Sequence, residues 1–209
     1  DLSGTAKLAT QTPPAMPLRA PNGEFEFDAQ QRTIQLRTPQ ARGFFGFLMK
    51  RRVGDDNAAV ELLGKSRGFT GILLTALDNR PLASSRQILI SSSSAVTGTQ
   101  PGSMPSRPKE LVRYKNDPKW WTLERDSGMN DKPSGPRDVE GPVWMERNEA
   151  RITLRTQARR VAVYPLDGSG KRMAALDAGR ASVSNGVATI HIQADAAQAS
   201  PWYEVAADE

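Results

Sequence analysis

Phe69-Thr70-Gly71-Ile72-Leu73-Leu74-Thr75-Ala76-Leu77-Asp78-Asn79-Arg80-Pro81-Leu82 is the stretch that decides the fold. From Phe69 to Leu77 the apolar side chains fall at both odd and even positions, the most apolar run of the chain. That fits a central strand better than an edge strand. Asp78-Asn79-Arg80-Pro81 then turns the chain, because Asp and Asn bond their own backbone and Pro81 presets φ. From Leu82 the chain returns as a strand ending in Ile88-Leu89-Ile90 and a serine run.

Outward from this hairpin, apolar residues recur with a period of two, the signature of strands with one wet face. Phe25 and Phe27 alternate with Glu24, Glu26 and Asp28, and Ile34 and Leu36 with Thr33, Gln35 and Arg37. This places both glutamates on the wet face, with Asp28 to Gln31 as a turn. Gly43 to Met49 is denser in apolar side chains and is assigned to the core, with a short strand around Val60 to Leu63. Downstream, Ile152 and Leu154 oppose Arg151, Thr153 and Arg155. At Val161 and Val163 the apolar parity has switched, so a turn or bulge is expected between Thr156 and Arg160. Asp167-Gly168-Ser169-Gly170 is a turn, and Ser184-Asn185-Gly186 predicts a type I′ hairpin. Ala188, Ile190 and Ile192 are assigned inward, and Trp202 to Val205 to the last strand.

No amphipathic helix interrupts this pattern. Many short strands between turn signals predict an all-β antiparallel β-sandwich, immunoglobulin/fibronectin-like or jelly-roll-like. It should span residues 21–209. Residues 1–20, with Pro13, Pro14 and Pro17, read as a linker, and 97–142, rich in Pro, Gly and charge, as a long irregular excursion.

Composition sets limits on function. A 209-residue chain suits one large domain or two small ones, and should bury roughly 70% of its extended surface on folding. There is no apolar run long enough to predict a membrane span. Zero cysteines exclude disulfides, thiolate catalysis and cysteine-based metal sites. A net charge of +5 over this length reads as solubility rather than a nucleic-acid footprint. The chain opens on Asp1 without Met or signal peptide, which reads as a processed or excised piece.

Reactive groups are sparse. The single histidine, His191, lies between two inward isoleucines and is expected to be a solvated strand residue. Ser106-Arg107-Pro108-Lys109 has Ser-x-x-Lys spacing but sits in a proline-rich loop, where no helix turn brings the lysine onto the serine. Gly168-Ser169-Gly170-Lys171 lacks the upstream glycine of a phosphate loop, since Pro165 stands there. Asp55-Asp56-Asn57 and Asp126 to Asp131 lack calcium-loop spacing. The acids Glu24, Glu26, Glu124, Glu140, Glu146 and Glu149 do not declare a convergent pair of the kind glycosidases use. No catalytic residue, metal site or cofactor is assigned.

Aromatics carry the remaining signal. Tyr114, Trp120 and Trp121 lie in the excursion beside Lys115, Lys119 and Arg125. Adjacent tryptophans of an extended segment point to opposite sides, so one is expected buried and the other available. Either they pin the loop to the sandwich or they stack on sugar rings, whose C–H faces suit flat indoles. Trp144, Trp202 and Tyr203, on strands, are candidates for core or interdomain contact.

Several segments, in order, resemble one family. Leu74 to Ile90, with Asp78-Asn79-Arg80-Pro81-Leu82-Ala83-Ser84-Ser85-Arg86 at its centre, is similar to the "SLDGKPLAESRRLLL" strand-turn-strand of bacterial TIM-barrel glycoside hydrolases. Gly141 to Glu146 resembles their "GPVLVEPV", Val161 to Arg172 their "VYALDGTGRR", and Pro201 to Val205 their "TPWYEI". Leu36 to Phe47 resembles "VDTPRAQGAVGF". Those signatures belong to a C-terminal β-sandwich, whose catalytic acids lie in the barrel. The resemblance implies a secreted, periplasmic or cell-surface, non-catalytic accessory domain, with the catalytic barrel as partner and an uncovered apolar face as its contact. The alternatives are a carbohydrate-binding module using Tyr114, Trp120 or Trp121 on a polysaccharide, and an interaction domain without a sugar ligand. A standalone enzyme ranks last.

Overall fold

Two stacked antiparallel sheets realise this alternation in the computed structural model, which describes residues 15–48, 51–64, 68–125 and 141–208. The larger sheet has eight strands: β1 (Leu18–Arg19), β2 (Phe25–Asp28), β3 (Thr33–Arg37), β4 (Ala41–Gly46), β7 (Thr70–Ala76), β8 (Gln87–Ser93), β14 (Arg160–Pro165) and β17 (Trp202–Asp208). Their spatial order is β1-β2-β3-β4-β7-β8-β17-β14. The smaller sheet has five: β5 (Arg52–Gly54), β6 (Ala58–Leu62), β13 (Ala150–Arg155), β15 (Ala181–Ser184) and β16 (Val187–Ile192), in the order β15-β16-β13-β6-β5. The fold is a β-sandwich. None of the described helices is long and apolar enough to cross a membrane.

The core lies between the sheets. Phe44, Ile72, Leu74, Ile88, Ile90 and Val205 from the larger sheet meet Val60, Leu62, Ile152, Leu154, Ile190 and Ile192 from the smaller. Burying such a side chain contributes about 1.5–3 kcal/mol. β7 is central, flanked by β4 and β8. The parity switch marks the crossing from β13 in the smaller sheet to β14 in the larger. Asn79 and Asn185 take positive φ (59° and 50°) in their turns, and Gly186 follows at 73°.

Several expectations are corrected. Leu18 and Arg19 are not linker but a short strand paired to β2. Leu82–Ser84 forms a 3-10 turn, and the returning strand starts at Gln87. The excursion is only partly irregular. β9 (Val96–Thr97) pairs with β12 (Trp144–Met145), and β10 (Leu111–Tyr114) pairs with β11 (Asp117–Leu123) as a hairpin of its own. Residues 126–140 of the excursion lie outside the described residues.

The largest correction concerns β2 and β3. Among the described residues, β1, β2 and β3 contribute nothing to the core cluster, because the side chains that β2 and β3 turn to the core side are polar. Register fixes which way they face: Glu26 pairs with Gln35, Gln35 with Phe44, and Phe44 with Ile72. Phe44 points into the core, so Glu26 and Gln35 point to that side too. Glu26 is therefore only 8% exposed, whereas neighbouring Phe25 is 43% exposed. The greasy side of β2 and β3 faces away from the protein's own core.

Candidate functional site

The outward side of the larger sheet carries two apolar rows, read from the pairing register. One runs Leu18, Phe27, Ile34, Phe45, Gly71. The next runs Phe25, Leu36, Gly43, Leu73, then Ser91 and Trp202. Phe47 and Phe69, exposed residues of the same parity just beyond β4 and before β7, meet edge to face with ring centroids 6.3 Å apart. Gly43 and Gly71 give the surface its relief. A Cβ on Gly43 would come within 2.5 Å of the Phe45 ring, and one on Gly71 within 3.1 Å. The Phe45 ring thus lies flat across two strands, on backbone that has no side chain in the way.

Charge marks the limits of this face. At its far end, on β17, Glu204 accepts hydrogen bonds from Arg172 Nε (2.7 Å), Arg172 NH2 (2.8 Å) and Gln87 Nε2 (2.6 Å). The Arg172 guanidinium, aided by Gln87 against the opposing effect of burial, holds the Glu204 carboxyl at about 2. Arg172 also lies 4.5 Å over the Tyr164 ring. This clamps the loop after β14 against the sheet, and Met173 N–H donates to Pro165 O (2.8 Å). On the inward side of β2 and β3, Glu26 accepts from Arg19 (2.9 Å), Arg37 (3.3 Å) and Gln35 (3.2 Å). Burial pushes its carboxyl up, but the hydrogen bonds and charges of Arg37 and Arg19 outweigh that and hold it below the usual range. Asp55 lies 3.2 Å from Arg42 and 3.8 Å from Arg37.

The smaller sheet's outward side is the opposite in character. Arg52, Glu61, Arg151 and His191 form one cross-strand row, with Arg151 and Glu61 paired at 3.0 Å. His191 is half-buried rather than fully solvated. Its Nδ1 lies 3.3 Å from Arg180 and its Nε2 3.1 Å from a Glu149 oxygen. That is a charge-paired surface with no nucleophile in the group.

The candidate residues disperse. Of the two roles left open for Tyr203, core or interdomain contact, it takes the core: it is 0% exposed, its hydroxyl donating to Gln198 O and accepting from Ser200 N–H, both at 3.1 Å. The reason is parity, since Tyr203 pairs with inward Ile90 and Trp202 with outward-facing Ser91. Trp202 accordingly joins the apolar face. Trp144 lies elsewhere, donating to Thr99 Oγ1 (2.8 Å) and lining a groove of about 310 Å³ with Val96, Leu111 and Leu123. Tyr114, Trp120 and Trp121 all lie on the β10–β11 hairpin, which pairs with neither main sheet. Neither tryptophan is buried, against the expectation of one buried and one available.

The other motifs resolve into structure. Asp167 Oδ1 accepts from Ser169 N–H, Ser169 Oγ–H and Lys171 N–H, which makes Gly168 to Lys171 a self-bonded turn. Asp55 caps its own turn by accepting from the N–H groups of Asn57 and Ala58. Glu124 pairs with Arg107, and Glu146 accepts from Ser94 Oγ–H (2.9 Å). Glu140 and Asp126 to Asp131 lie outside the described residues. Among the described residues no three His, Asp or Glu side chains gather as a metal site. Comparison with family models, curated proteins and solved structures gave no match.

Proposed function

We propose that this chain is the non-catalytic accessory sandwich of a secreted, periplasmic or surface bacterial glycoside hydrolase, and that the outward face of its larger sheet packs on the catalytic barrel and stabilises it. One observation carries this reading: the reversed polarity of β2 and β3. A sheet solvated on its outer side puts polar residues out and apolar residues in. Here Phe25, Phe27, Ile34 and Leu36 point out while Glu26 and Gln35 point in. Contiguous apolar patches of this kind mark interaction surfaces. The charge-paired outer side of the smaller sheet sets the contrast, because that face is built for water.

The resemblance supplies the partner class. The test is co-expression with the barrel domain of the parent enzyme. The wild-type sandwich is expected to co-purify with it and raise its melting temperature. A Phe25→Ser, Leu36→Asp double variant is expected to stay folded alone yet lose both effects. A parent enzyme without a barrel, or a double variant that associates as wild type does, overturns the proposal. Hydrolysis of a glycan by the purified chain alone does the same.

A further inference from the structure

The β10–β11 hairpin carries a second exposed aromatic surface, and the geometry points to it as a platform for a neutral or sparsely charged pyranose polysaccharide, independently of the docking reading. Trp120 and Trp121 are 68% and 56% exposed, the two most exposed aromatic residues among those described. Their orientation comes from the hairpin itself. Arg113 pairs with Trp121 but Tyr114 pairs with Asp117, so Pro118, Lys119 and Trp120 form a bulge. Bulges re-aim side chains away from the regular ladder. The Arg113 guanidinium sits 4.1 Å from the Trp121 ring centroid and donates to Pro118 O (2.8 Å), tying that ring to the bulge. Glu124 anchors the base of the hairpin by pairing with Arg107 and accepting from Glu110 N–H (3.2 Å). Rings oriented before binding lose less freedom on capture.

The surroundings select the occupant. A membrane would have to take the hairpin tip first, and that tip, Lys115-Asn116, offers no apolar side chain to insert. A nucleic-acid strand needs a positive track. Across the hairpin, Arg113, Lys115 and Lys119 are nearly balanced by Glu110 and Asp117. A pyranose chain needs neither. Its C–H faces stack on indole, and its hydroxyls meet the lysines and Asn116 around the rings.

Affinity gel electrophoresis of the whole chain against mixed-linkage β-glucan, xylan, galactomannan and pullulan tests this, at low salt and at about 0.5 M NaCl, where surface charge is screened. At least one polysaccharide is expected to retard the protein equally at both salts. Trp120→Ala or Trp121→Ala should weaken retardation by about tenfold or more with unchanged thermal unfolding, while Trp120→Phe keeps most of it. No retardation by any of the four overturns the proposal, as does retardation unaffected by Trp120→Ala. So does preferential, salt-sensitive binding to oligo-dT or to phosphatidylserine vesicles.

Discussion

Phe25 and Glu26 are neighbours on β2, and the fold treats each against its chemistry. Phe25→Ser removes a ring that is already 43% exposed. Full burial of a phenylalanine is worth about 1.5–3 kcal/mol, so the part still buried is worth about 1 kcal/mol. Glu26→Ala removes a carboxylate that is 8% exposed. Of its ion-pair partners, Arg19 has 66% of its side chain in water and counts for little, whereas Arg37 has 24%. Losing the Arg37 and Gln35 bonds should cost about 2 kcal/mol. For a domain of this size each kcal/mol moves the melting temperature by about 2–4 °C. Thermal unfolding of the isolated chain at neutral pH should therefore show Glu26→Ala falling about twice as far as Phe25→Ser. The sign with pH is fixed as well. Because the folded-state pKa of Glu26 is depressed, its contribution is present above about pH 4 and is lost as pH falls through the folded value. The gap between wild type and Glu26→Ala should close in acid. A Phe25→Ser loss of about 4 kcal/mol, typical of a core ring, or a neutral Glu26→Ala, refutes the assignment of faces.

Other expected outcomes follow from single contacts. Glu204→Gln should lower the melting temperature and speed tryptic cleavage at Lys171 and Arg172, since it unclamps that loop. With a folded pKa of about 2, this stabilisation should begin to fall as pH drops through the unfolded carboxylate range and vanish only towards pH 2. Gly46→Ala should cost more than about 3 kcal/mol in urea unfolding, because its φ is +132° and a Cβ would lie 2.1 Å from Arg32 O. Tyr203→Phe, which keeps the buried ring and loses a hydroxyl bonded at both ends, should cost about 1–2 kcal/mol by the same measurement.

Strands were legible wherever one parity was apolar, and the turns wherever Asn or Gly accepted positive φ. The direction of a strand's dry face was not. Period two says that a strand has two different sides, not which one meets the core. For β2 and β3 the answer passes through β4, where Phe44 and Phe45 are both apolar and the sequence offers no choice between them. Only the register, ending at Ile72 in the core, decides it. The hairpin was hidden for another reason. Pro118 and the bulge break the alternation before it has run three residues, and the hairpin pairs with neither main sheet, so no core face disciplines its pattern. The bulge also takes Trp120 out of the regular ladder, and Trp120 and Trp121 are both exposed where strand geometry alone suggested one of each.

The dimensions of the apolar face bear on what covers it. From β1 to β7 it spans five adjacent strands, four intervals of about 4.8 Å, or about 19 Å across. Neighbouring packed helices lie about 8–10 Å apart, so the face accommodates two helices side by side. It is too wide for a single helix to cover. The outer surface of a (β/α) barrel is a ring of helices, which is the shape the proposed assembly requires. Beyond β8 the Glu204–Arg172 clamp occupies the same side of the sheet, so a partner there would have to strip a buried carboxylate of its guanidinium. Removing one member of such a pair is strongly unfavourable. The proposed partner is thereby kept off the Glu204–Arg172 end of β17, and charge reversal at Arg172 should leave docking intact while substitutions at Leu36 or Phe45 abolish it.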